Sequence, residues 1–227
     1  MVSTRVREVT IEVNGEAVGA DLTLPPEPVG VVVFAHGSGS GRHSPRNRMV
    51  AGRLHDRGLA TLLLDLLTDD EERADARSGH LRFDIDFLAT RLLTATAWVR
   101  GVPSASALPV CFFGASTGAA AALLAAARRP EGIAAIVSRG GRADLAGQAL
   151  GRVRAPTLLI VGQRDEMVVG LNQKAMNRMH VERQLVIVPG ATHLFTEPGA
   201  LEEVARLAGD WFVDHLGRRT SAAGGNR

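Results

Sequence analysis

The stretch that most constrains this chain runs from Leu108 to Ala127: the apolar segment LPVCFFGA, the pentapeptide GASTG, and the alanine-rich segment AAAALLAAA. It reads as a buried strand, a sharp turn and a helix. A Gly-x-Ser-x-Gly between strand and helix lifts a serine hydroxyl clear of the sheet on a tight, strained turn. Ser116 is therefore the candidate nucleophile. Gly114 and Gly118 suit the motif because the strand and helix backbones pass so closely that a Cβ at either place would collide. The first N–H groups of the helix and its positive dipole end would lie where an oxyanion develops during acyl transfer. The pentapeptide alone could be a turn without chemistry. Its position at a strand-to-helix junction, with an acid and a histidine downstream, favours the chemical reading.

The rest of the chain supplies the matching architecture. Residues 5–13 and 17–24 alternate polar and apolar around Asn14-Gly15, a hairpin signal. Apolar runs at 29–35, 59–65, 132–138, 156–162 and 183–190 suit strands of a mostly parallel sheet. Helical patterns fall at about 46–57, 81–100, 143–151, 170–180 and 198–216. Alternating strands and helices imply three layers, with helices on both faces of the sheet and no large cap domain. The charged segment 66–80 lacks an apolar period and is expected to be a solvated loop, with a lid over the sheet edge as the alternative. A chain of 227 residues, 45% of them hydrophobic, can bury a core without disulfides, so residues 1–216 are expected to form a single domain and 217–227 a disordered tail.

Composition excludes several roles. Lys and Arg number 26 against 24 Asp and Glu, which is no nucleic-acid signature. The lone cysteine, Cys111, falls in an apolar strand, so no disulfide can form within the chain. The N-terminal segment lacks the apolar core of a secretory signal, and no stretch approaches the roughly 20 apolar residues that cross a bilayer. A cytoplasmic location without membrane partners is expected, and oligomeric state is left open.

A serine hydroxyl needs a base, and the base an orienting acid. Asp165 follows the strand PTLLIVG, and His193 follows LVIVPG. Both sit beyond carboxyl ends of strands, where open α/β sheets bind ligands. Glu166 and Asp144 are rival acids. The oxyanion donors are expected to be the backbone N–H groups of Thr117 and Ser38, with Gly37 and Gly39 as alternatives to Ser38 and as substrate contacts. The loop HGSGSG lacks both GxGxxG and a Walker lysine, which disfavours phosphate cradling, and His36 is expected to hold the loop. Arg42, His43, Arg139 and Arg142 could grip a substrate carboxylate, although solvated or paired arginines are the ordinary alternative; Phe195 and Leu66 could wall a pocket or fill the core. The histidines form no ligand pairs, so neither metal nor organic cofactor is implied.

Taken together, HGSGSG, GASTG, the Asp165 segment and PGATH resemble the α/β-hydrolase superfamily, specifically its small dienelactone-hydrolase-like branch, over roughly residues 5–216. The order Ser116, Asp165, His193 is that of such hydrolases. Dienelactone hydrolases carry a nucleophilic cysteine where this chain has Ser116. HGSGSGRHS, LLLDLLT, FGASTGAA and SRGG are similar to hydrolase domains that occur alone or fused to a phosphoribosyltransferase; no such second domain is read here, and no such activity is expected. The resemblance implies a serine esterase acting on small soluble esters. A lactonase, thioesterase or peptidase on the same machinery, or a non-hydrolytic small-ligand receptor, are the alternatives.

Overall fold

The computed structural model describes residues 6–224. Its centre is an eight-stranded sheet in the order β1-β2-β4-β3-β5-β6-β7-β8. The strands are β1 (Val6–Val13), β2 (Glu16–Thr23), β3 (Gly30–Ala35), β4 (Leu59–Leu64), β5 (Val110–Ala115), β6 (Ile133–Arg139), β7 (Thr157–Gly162) and β8 (Arg183–Val188). β1 and β2 pair antiparallel through a turn in which Asn14 and Gly15 both have positive φ, 52° and 83°, as a type I′ hairpin demands. β2 meets β4 antiparallel, and the strands from β4 to β8 are parallel.

The helices are α1 (Pro45–His55), α2 (Asp69–Ser78), α3 (Ile85–Gly101), α4 (Thr117–Arg128), α5 (Glu166–Met176) and α6 (Ala200–Gly224). Period-two alternation sorts the central strands between two cores. Val31, Val33 and Phe112 pack with Leu92 of α3 and Leu123 of α4, whereas Val32, Phe34 and Phe113 pack with Leu54 of α1 and Phe212 of α6. Both faces are thus covered, as a parallel sheet requires. Among the described residues, no helix is long and apolar enough to cross a membrane.

Four details differ from the sequence reading. The segment expected as a loop over 66–80 contains α2, because its stability comes from its ends and its charges rather than from an apolar stripe. Thr68 and Glu71 form a reciprocal capping box, Asp69, Asp70, Glu71 and Glu72 complement the positive dipole end, and Gly79 closes the helix at φ 65°. The 143–151 segment is a 3₁₀ stretch, Ala143–Arg152, interrupted at Gly147, where φ is 55°. α5 begins at Glu166 rather than near 170, since Asp165 already turns the chain by donating its N–H to the Gly162 carbonyl. α6 continues through Gly224, so the tail expected to be disordered from 217 is helical to that residue; 225–227 lie outside the described residues.

Candidate active site

Ser116 ends β5 and precedes α4 with φ 51° and ψ −119°, a left-handed conformation that a serine adopts only when its surroundings force it. The surroundings are backbone. A Cβ on Gly114 would lie 2.4 Å from the Ala119 Cα, and one on Gly118 would lie 2.2 Å from the Ala35 carbonyl oxygen. β3, β5 and α4 therefore pack at contact distances that only glycine permits. The Ser116 N–H donates to the Arg139 carbonyl at 3.2 Å, and the Ser116 carbonyl accepts from Arg142 N–H at 3.0 Å, which ties the elbow to the end of β6.

His193 lies in the loop after β8, and its Nδ1 is 2.6 Å from Asp165 Oδ2 in the loop after β7. Asp165 is the more buried of the pair, with 14% of its side chain exposed against 40% for His193. Arg164 N–H donates to the Ala191 carbonyl at 2.9 Å and anchors one loop to the other, while Thr192 N–H donates to Glu197 Oε2 at 3.1 Å and braces the loop after β8 internally. With Nδ1 turned to Asp165, Nε2 is the nitrogen left for a reacting hydroxyl. Gly140 bridges the two halves, since a Cβ on it would sit 3.4 Å from His193 Nδ1 while the preceding carbonyl, that of Arg139, receives the Ser116 N–H. Neither the Ser116 hydroxyl nor His193 Nε2 is hydrogen-bonded to another described residue.

Asp144 is not turned to the histidine. It accepts from Arg142 Nε at 2.9 Å and Nη2 at 2.8 Å, and this paired hydrogen bond raises the Arg142 pKa above its ordinary value. Of the rival acids, Asp165 is the one in contact with His193.

The glycine-rich loop after β3 lies over the elbow. A Cβ on Gly37 would come 3.1 Å from the Ser116 Cβ. Ser38 N–H, expected as the second oxyanion donor, is donated to Thr117 Oγ1 at 3.1 Å. Thr117 itself begins α4, where the first N–H groups have no intrahelical acceptor. His36 holds the loop from beneath. Its Nε2 accepts from Leu66 N–H at 3.1 Å, which leaves Nδ1 to donate to the Gly37 carbonyl at 2.9 Å. Burial pushes its pKa below the ordinary imidazole value and outweighs the raising effects of the Gly37 hydrogen bond and of Asp65 and Glu72, so the ring stays neutral.

A cavity of about 650 Å³ opens beside this loop. Gly37, Ser38, Gly39 and Thr117 line one side; α2 contributes Asp69, Glu72 and Asp75, and Leu66 and Leu88 supply apolar wall. Phe195, a candidate substrate contact that the sequence left open between pocket wall and core, is 1% exposed and packs with Val188, Ala191 and Phe212 in the core. Its φ of 54° turns the chain after His193 so that the ring points into the core. Arg42 is occupied by Asp65 (Nη1 to Oδ2, 2.7 Å), and His43 contacts Arg48. Arg139 is buried. The sequence reading missed α2 as a cavity wall, although Thr68-x-x-Glu71 followed by Gly79 carries the capping signal for it. Among the described residues, no three His, Cys, Asp or Glu side chains form a group able to hold a metal ion.

An eight-stranded, mostly parallel sheet with helices on both faces, a strained serine after β5 and a histidine after β8 define an α/β hydrolase. The dienelactone hydrolase family model matches residues 18–213, and the chain belongs to that family. It is 53% identical to a dienelactone hydrolase from Anabaena variabilis of known structure, with a TM-score of 0.91 over 93% of this chain and 98% of that one. Est1E from Butyrivibrio proteoclasticus, at 18% identity, shares the fold with a TM-score of 0.79 over 95% of this chain and all of that one. A Mycobacterium tuberculosis protein with a provisional phosphoribosyl transferase name is 57% identical over 212 residues, which are 93% of this chain and 47% of that protein. The chain spans about half the length of the curated relatives it matches.

Proposed function

We propose that this chain cleaves small carboxylic esters through an acyl-enzyme on Ser116. The observation that carries the reading is the 2.6 Å contact of His193 Nδ1 with Asp165, which frees Nε2, on the same sheet edge as a serine in strained left-handed geometry. In this scheme the Ser116 oxygen attacks the ester carbonyl while His193 Nε2 takes the hydroxyl proton. The tetrahedral intermediate collapses, the alcohol leaves with that proton, and His193 then removes a proton from the water that cleaves the acyl-enzyme. Asp165 fixes the tautomer and steadies the imidazolium. The developing oxyanion takes hydrogen bonds from Thr117 N–H and from Ser38 N–H, each contributing on the order of 3 kcal/mol to lowering the barrier. Ser38 N–H must then exchange the Thr117 hydroxyl for the substrate oxygen, or be shared between them.

A second reading, lactone hydrolysis, is favoured by the name of the family and of the Anabaena variabilis relative, because a lactone is a cyclic ester open to the same attack. Turnover of short p-nitrophenyl esters, simple lactones and thioesters, combined with fluorophosphonate labelling, tests both. Ser116→Ala is expected to abolish labelling and lower kcat by roughly 10⁴-fold or more with the fold intact. Ester turnover near wild type in that variant would overturn the assignment. Labelling of the wild type without turnover of any substrate would favour a ligand receptor.

A further inference from the structure

Thr117 directly follows the nucleophile, and its side chain carries a hydroxyl that the elbow motif does not require. The glycine-rich loop lies on the elbow in register with it. Gly37 faces Ser116, since a Cβ on it would come 3.1 Å from the Ser116 Cβ, and Ser38 faces Thr117, donating its N–H to Thr117 Oγ1 at 3.1 Å. Both sides of this contact are held. Gly37–Ser40 is a tight turn, closed by Ser40 N–H donating to the Gly37 carbonyl at 3.2 Å, with Gly39 at φ 72°. The first turn of α4 is wedged against the end of β3, where a Cβ on Gly118 would lie 2.5 Å from the His36 carbonyl oxygen.

The hydrogen bonds of this hydroxyl do not close. A threonine hydroxyl can accept twice and donate once. Thr117 Oγ1 accepts from Ser38, and among the described residues it has no acceptor for its own proton. The usual outlet of a helical threonine, a carbonyl one turn earlier in the same helix, is not at hand, because Phe113 and Gly114 stand in β5. Thr117 is only 4% exposed, yet it lines the cavity together with Gly37, Ser38 and Gly39. Its position is informative as well. At an elbow, the N–H of the residue after the nucleophile and an N–H from the loop after β3 converge on the oxyanion. With Ser38 as the loop donor, an oxygen that already accepts from Ser38 N–H lies at or beside that point.

We propose that the Thr117 hydroxyl is a third donor to the oxyanion, beside the backbone N–H groups of Thr117 and Ser38. This rests on the reading of Ser116 as the nucleophile. Oγ1 keeps its share of the Ser38 N–H and turns its own proton to the negative oxygen of the tetrahedral intermediate, and that proton stays on the hydroxyl throughout. Accepting from Ser38 polarises the O–H bond and makes it a stronger donor. Between turnovers the same hydroxyl holds Ser38 N–H in place, so neither donor has to be assembled as charge develops. Of the two fates open to the Ser38 N–H, sharing is the one this arrangement takes.

Thr117→Val keeps the shape of the side chain and removes the hydroxyl, whereas Thr117→Ser keeps the hydroxyl. With p-nitrophenyl acetate, Thr117→Val is expected to lower kcat by about 10²-fold with KM within about threefold, and Thr117→Ser should recover most of that loss. An unchanged kcat in Thr117→Val overturns the proposal, and so does a gain, which would mark a hydroxyl that competes with the oxyanion. The Ser116 adduct of wild-type protein with an alkyl fluorophosphonate separates donation from mere support of the loop. Its crystal structure should place Thr117 Oγ1 about 3 Å from the phosphoryl oxygen that also accepts from Thr117 N–H. An Oγ1 in contact with Ser38 N–H alone, or swung away from both, overturns the proposal even where kcat falls. The nucleophile is read apart from the hydroxyl. No adduct in the wild type, or an adduct and turnover that survive Ser116→Ala, would overturn both readings. Loss of both in Ser116→Ala, with Thr117→Val at the wild-type rate, would overturn the hydroxyl alone. A wild type that forms the adduct and turns over no ester still tests the hydroxyl through the adduct structure.

Discussion

At the scale of single residues, what a side chain can do is set by what already holds it. Asp165 and Asp144 are the same chemical group on neighbouring loops, yet one meets the imidazole and the other is clamped by two guanidinium nitrogens. Asp165→Asn is expected to lower kcat/KM by about 10³- to 10⁴-fold, because the imidazole loses the partner that sets its tautomer. Asp144→Asn should leave it within about tenfold, and parallel rate measurements with melting curves for folding decide between them. His36 permits a stability test. Its pKa is depressed in the folded state, so the neutral ring contributes stability that is complete above the unfolded value of about 6.5 and is lost as pH falls through the folded value. Melting temperatures taken between pH 7 and 5 should fall more steeply for the wild type than for His36→Gln; equal slopes would show that the ring is not held neutral.

At the scale of elements, α2 shows how a helix can wall a cavity without an apolar face. Its hold on the molecule is electrostatic. Asp75, buried, accepts from Leu81 N–H at 2.6 Å and from Arg82, and Glu71 pairs with the buried Arg91 of α3. Burial alone would raise the Asp75 pKa, but the Arg82 and Leu81 hydrogen bonds prevail and hold it below the ordinary carboxylate range. A depressed carboxylate stabilises the folded form above its unfolded pKa and ceases to do so as pH falls through the folded one. α2 should therefore detach below about pH 4, before the sheet unfolds, and amide exchange across 69–78 should accelerate there ahead of exchange in β5. Thr68→Ala, which removes half of the capping box, should cost about 1 kcal/mol of local stability at neutral pH and produce the same acceleration.

At the scale of the whole molecule, the sheet separates two cores and delivers the loops after β3, β5, β6, β7 and β8 to one edge. Phe195 links the site to this architecture. Phe195→Ala is expected to cost about 3–5 kcal/mol in denaturant unfolding, as removal of a buried aromatic ring does. Its KM for small esters should change little, and a large KM effect at unchanged stability would return this ring to the pocket wall.

Much of this was legible in the linear chain, because strands buried on both faces, a hairpin turn and a Gly-x-Ser-x-Gly elbow are local patterns whose causes lie within a few residues. All eight strands, the elbow at Ser116 and the spacing of Asp165 and His193 beyond strand ends are of that kind. α2 escaped because periodicity registers apolar faces, and this helix has none. The tertiary structure alone decided that His193 meets Asp165 rather than Asp144, that Phe195 is core, that Ser38 N–H rests on the Thr117 hydroxyl, and that Arg42 and Arg142 are paired with carboxylates. The physical reason is that a local pattern carries its own sterics, whereas the partner of a charge or hydroxyl is chosen by which distant segments the folded sheet brings within hydrogen-bond reach.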